Sequence, residues 1–152
     1  MRIFFLFLFF IASLNAENFP FGNKEKLVYK IKWGFISCGE ATLEIEKISS
    51  TTYKIVSRTK SYPFFDHFYK VRNTVTSIWD IEKKRSLFYE KNLRQGKRKV
   101  FSQIRIDPQK NIATRKGKEW KVTENALDVL SALYYVRCQN LKASKEIMID
   151  VY

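Results

Sequence analysis

One stretch of this chain carries apolar residues at helical spacing over more than a few turns, and it decides what the remainder must be. From Asn125 to Lys142, residues Leu127, Leu130, Tyr134, Cys138 and Leu141 recur every three or four positions, so they share one face of a helix. Ala126, Ala132 and Leu133 widen that stripe to the breadth a helix needs when it lies on a sheet. The spacing predicts Asn125 as the N-cap, with Asp128 three residues on as its capping-box partner. Asp128 and Arg137 read either as a binding pair or as structural charges, a cap and an ion pair with the sheet. The helix dipole favours the second reading, because it accommodates an acid in the first turn and a base towards the other end.

The rest of the chain alternates like β-strand. Leu27, Tyr29, Ile31, Trp33 and Phe35 alternate with Lys30, Lys32 and Gly34, which predicts a first strand with one apolar and one solvated face. Gly34 and Gly39 flank Ile36-Ser37-Cys38, where a bend or hairpin is expected. Further strands follow over Ala41–Glu46, Tyr53–Arg58, about Lys70–Asp80, Leu87–Leu93, Val100–Ile106, Ile112–Arg115 and Glu119–Val122, with turns at intervals of about ten residues. The segment Ser61–Tyr69, with Pro63 in it, breaks the alternation as a short irregular or single-turn piece. Ile147, Ile149 and Val151 begin a last strand in which the chain stops, so further strands of a complete domain are expected beyond it. The fold class is mainly β: an antiparallel meander, curved into a half-open barrel or a sandwich, with one helix packed on the sheet.

Ahead of this domain, Met1-Arg2 precedes the unbroken apolar run Ile3–Ala12, and Ser13-Leu14-Asn15-Ala16 follows. That is the pattern of a secretory signal peptide over residues 1–16, cut after Ala16. The alternative is an uncleaved anchor, although ten apolar residues fall well short of the about 20 needed to span a bilayer. No cysteine follows the run, which disfavours a lipid-anchored form. The expectation is a periplasmic protein whose single mostly-β domain occupies residues 17–152.

Loss of Arg2 leaves 27 basic and 15 acidic residues, a net charge of +12. In the cytosol that charge would suggest nucleic acid, and export removes this partner. Lipid surfaces, anionic glycans and acidic envelope proteins remain. The basic clusters Lys83-Lys84-Arg85, Lys97-Arg98-Lys99 and Arg115-Lys116-Lys118 all fall near turns, as docking points or as solvated hairpin tips. Cys38 and Cys138 are one hundred residues apart; in an oxidising compartment they are either one disulfide or two buried thiols.

Catalytic patterns are sparse. His67 is the only histidine, so any Ser-His-Asp or Cys-His arrangement would have to use it. Glu40, Glu44 and Glu46 could pair as glycosidase carboxylates, but Glu44 and Glu46 belong to the polar face of the second strand. Two cysteines and one histidine match no zinc spacing, and the five glycines are scattered at turns rather than gathered around a phosphate. The expectation is a non-enzyme with neither metal nor cofactor.

Five of the nine residues Ser61–Tyr69 are aromatic. They read as a plug at one end of the curved sheet or as the mouth of an apolar cavity. On the second reading Phe64, Phe65, Phe68 and Tyr69, with Trp33 of the first strand and Tyr134 of the helix, are the candidate ligand-binding residues. The function expected is a domain that holds an apolar or amphipathic envelope molecule. The alternative is a structural or assembly factor of the envelope acting through protein–protein contacts.

The helix motif Asp128-Val129-Leu130-Ser131-Ala132-Leu133-Tyr134-Tyr135-Val136-Arg137 resembles the signature of a bacterial exported family catalogued as domain of unknown function 3108. Glu25-Lys26-Leu27-Val28-Tyr29, Trp33-Gly34, Gly39-Glu40-Ala41, Phe64-Phe65, Tyr69-Lys70-Val71 and Arg94-Gln95-Gly96 are similar to the family as well. The likeness covers roughly residues 22–152. It implies a periplasmic, mostly β domain with a helix on its sheet, no established activity, and further strands beyond residue 152. The two cysteines are not part of the family pattern.

Overall fold

A computed structural model describes residues 20–139 and 147–152. The expected signal peptide, and Leu141 and Lys142 of the expected helix, lie outside the described residues. Eight strands run in chain order as one antiparallel meander: β1 (Lys24–Trp33), β2 (Ile36–Lys47), β3 (Thr52–Ser61), β4 (Val71–Asp80), β5 (Arg85–Gln95), β6 (Arg98–Asp107), β7 (Ile112–Arg115) and β8 (Lys118–Lys121). The sheet is open, with β1 and β8 as its edges. Helix α1 (Pro63–Tyr69) links β3 to β4, and α2 (Val129–Arg137) follows β8.

Register fixes which side chains share a face. Ile45, Ile55, Ser77, Tyr89 and Ile104 stand opposite one another across five strands. Partners in an antiparallel sheet point the same way, so this row defines the apolar face. Leu130 and Tyr134 of α2 pack onto it with Leu43, Tyr53, Trp79 and Phe21. A smaller cluster of Ile104, Ile106 and Ala113 continues it, covered by Trp120 and Tyr152.

The helix begins three residues later than expected. Asp128, not Asn125, is the N-cap: its carboxylate accepts from the Leu130 and Ser131 amides, and the Ser131 side chain closes the capping box. Ala126 and Leu127 are buried as the apolar spacing requires, but ahead of the helix rather than in it. The Ala126 carbonyl accepts from Ser86 N–H, and Leu127 forms an isolated parallel bridge with Val151. That bridge is all that stands where a last strand was expected.

The hairpin expected around Ile36 turns at Gly34-Phe35. Cys38 sits at a bulge, since Ile31 faces Gly39 while Lys32 faces Ser37. Gly39 is therefore inside β2 rather than a breaker. A Cβ there would stand 2.7 Å from the Lys60 carbonyl oxygen. Arg85, assigned to an exposed basic turn, is buried at the start of β5 and donates to the Pro108 carbonyl at 2.9 Å. No disulfide joins Cys38 to Cys138. Cys38 adjoins the Gly39–Ser61 pair, whereas Cys138 packs on the core near Tyr53. Tyr53 and Ser61 are eight residues apart along β3, or about 26 Å.

Candidate functional site

The end of the sheet away from α2 gathers three elements. The β1–β2 hairpin runs past the end of β3 and is held there by a Tyr62 N–H to Cys38 carbonyl bond of 3.0 Å. Helix α1 follows at once: Pro63 fits its first turn, where no amide is required. The Gly96 N–H donates to the Lys70 carbonyl at 2.8 Å, which brings in the β5–β6 hairpin. Gly96 lies under the Tyr69 ring so closely that a Cβ would stand 2.8 Å from it.

Between α1 and the apolar face of β1–β3 lies an open groove of about 250 Å³. Ile31, Phe65, Phe68, Tyr69 and Val71 form its walls, together with Cys38 and Gly39. Its surface is almost all carbon. Phe64 packs against Phe65 and Phe68 at centroid distances of 5.3 and 5.7 Å.

Of the six aromatic candidates, Phe65, Phe68 and Tyr69 line this groove, and Phe64 supports them from behind. Trp33 stands at the neighbouring hairpin, 78% exposed. Tyr134 belongs elsewhere. It is fully buried under α2, edge-on to Phe21 at 5.3 Å, and burial pushes its phenol up to about 12. No residue of α1 is buried. Ile31, Cys38 and Val71 were not foreseen as lining residues. Alternation had assigned Ile31 to the apolar face, but whether that face is roofed over is invisible in a strand pattern.

Asp128 and Arg137 hold the fold together. The buried Asp128 carboxylate accepts from the Ser77 and Ser86 hydroxyls, both at 2.6 Å, in addition to its two capping amides. Arg137 forks onto Glu25 of β1 at 2.6 and 2.9 Å and lies over the Tyr134 ring. That hydrogen-bonded pair holds the Glu25 carboxyl below the ordinary glutamate range and raises Arg137.

The opposite face of the sheet bears a larger, polar hollow of about 420 Å³. Its two carboxylates are already paired: Glu44 with Lys26 and Arg58 at 3.1 and 3.2 Å, and Glu40 with Lys60 at 3.4 Å. Hydrogen bonding by Lys26 holds Glu44 below its usual range, so it stays ionised rather than serving as a proton donor. His67 Nδ1 lies 3.0 Å from the Pro63 carbonyl. Only a protonated Nδ1 can make that bond, which ties the ring into its own helix. Asp66 beside it pairs with Arg72 and Ser61 rather than with His67. Among the described residues no three His, Cys, Asp or Glu side chains converge as metal ligands, and no helix is long and apolar enough to cross a membrane.

No curated protein and no solved structure matches this chain. The model of one family, described as a protein of unknown function (DUF3108), matches residues 28–152, a span that takes in nearly all of the sheet, the groove and α2. The chain belongs to that family.

Proposed function

We propose that this is a non-enzymatic, exported domain that takes up one apolar chain of an anionic amphipathic envelope molecule in the groove beside α1. The observation that carries the reading is an open, carbon-lined groove whose walls, Phe68 and Tyr69, are left largely in water. Exposed apolar surface of this extent, rimmed by polar residues, ordinarily marks a binding site. At about 250 Å³ the groove lies below the about 300–1,000 Å³ of a site that encloses a drug-sized molecule, which suits a single chain with its headgroup outside. Lys70 at the end of α1 stands where an anionic headgroup would emerge. The apolar run Ile3–Ala12 ahead of Ala16 supports export.

The test is native mass spectrometry of the protein from an exporting host, together with titration by the fluorescent fatty acid cis-parinaric acid. The expected result is a bound amphiphile and saturable probe binding, lost in Ile31→Asn. Protein free of any amphiphile, with no probe binding, would overturn the proposal.

A further inference from the structure

We infer that the same end of the sheet is a docking surface for an anionic bilayer, with the β1–β2 hairpin tip entering the lipid interface. The inference goes beyond the groove, because it rests on side chains outside it.

The tip is built to protrude. Trp33 pairs with Ile36 at its base, and the last pair linking β2 to β3 is Gly39 with Ser61, so the turn clears the body of the sheet. Trp33 is 78% exposed and Phe35 92%. These side chains contribute nothing to the core and stand on a convex point rather than in a cleft. A protein partner would need a matching pocket; a bilayer interface accepts such a wedge directly, and Trp is enriched at that depth.

Charge supplies the second argument. The strand ends and connections here hold Lys30, Lys32, Lys60, Lys70, Arg72, Arg94, Lys97, Arg98 and Lys99 against two acids, Glu40 and Asp66. Lys60 and Arg72 already neutralise those two. At the opposite end the turns interleave Asp80, Glu82 and Asp107 with Lys47, Lys83, Lys84, Lys110 and the buried Arg85, so acids stand among the bases there. An aromatic point ringed by unopposed lysines on one end of a molecule is the complement of a negatively charged lipid surface.

The experiment uses vesicles of phosphatidylglycerol and phosphatidylethanolamine with bromine on the acyl chains, which quench a tryptophan only at membrane depth. The parent protein should be quenched, and Trp33→Phe should lose that quenching while still binding. Lys32→Gln with Lys70→Gln should weaken binding by about tenfold or more, as should replacing phosphatidylglycerol by phosphatidylcholine. An unquenched parent, equal quenching in Trp33→Phe, or indifference to the anionic lipid would each overturn the inference. Ile31→Asn separates the two proposals: it should abolish parinaric acid binding and leave the quenching intact.

Discussion

Asp128 is the residue on which the helix depends, and its role was half legible. Its place near the start of an apolar helical run marked it as an acid of the first turn. That it is the cap itself follows from what lies across the sheet. Ser77 and Ser86 come from two different strands, and both reach its Oδ2. No local pattern announces that convergence. Replacing Asp128 by Ala would strand the Ser77 hydroxyl and two helix amides in the core. Loss of a buried, multiply bonded carboxylate should cost about 3–5 kcal/mol, read as a lower midpoint in urea denaturation. Lys116 offers the opposite case. It and Gly117 both adopt left-handed backbone, with φ of 51° and 77°, and the sequence showed a turn there but not which residue bore the strain. Asn tolerates this region better than Lys. Lys116→Asn should therefore stabilise the β7–β8 hairpin by about 0.5–1 kcal/mol, seen as a small rise in the same midpoint.

At the scale of elements, strands were the easier part, because alternation and turn residues are local. The helices were misjudged at their ends. The spacing of Leu127 and Ala126 fits a helix, yet their backbone groups are taken by Asp150, Tyr152 and Ser86, and tertiary bonds outweigh propensity. In α1, Pro63 and five nearby aromatics suggested a short irregular or single-turn piece, but the run is a seven-residue helix because Pro63 falls where a helix tolerates it. The far end of α2 is tied down by the Arg137–Glu25 fork, which joins it to the edge strand β1. The folded-state pKa of Glu25 is lowered. Its contribution to stability is thus fully present above the ordinary glutamate range and is lost as pH falls through the depressed value. In Glu25→Gln that acid-side loss should shrink. The variant should be less stable than the parent by about 1 kcal/mol at neutral pH, given that the pair is only part-buried, with the two converging in acid. Denaturation midpoints measured across the acid range check this; parallel curves would remove the pair from the account.

For the molecule as a whole, coverage of the apolar face could not be read from the chain, and length explains why. Nine helical residues span about 14 Å, whereas the twelve of β2 span about 40 Å. α2 can therefore roof only part of the face, and its two ends are fixed by Asp128 against β4 and β5 and by Arg137 against β1. Among the described residues, what α2 leaves uncovered is the end with Ile31, Trp33 and Phe35, whose alternation looked no different from that of Leu43 and Ile45. Alternation reports the side on which a residue points, not what lies above it. Side chains held for packing and side chains held for a partner should then respond differently to removal. Trp79→Ala empties the core beneath α2, where Trp79 is fully buried, and should cost about 3–5 kcal/mol. Phe35→Ser and Phe68→Ser remove apolar surface that water already touches, and each should change stability by less than about 0.5 kcal/mol. If either exposed phenylalanine proved as costly as Trp79, that end would be part of the folding core, and it would no longer be a surface available to lipid.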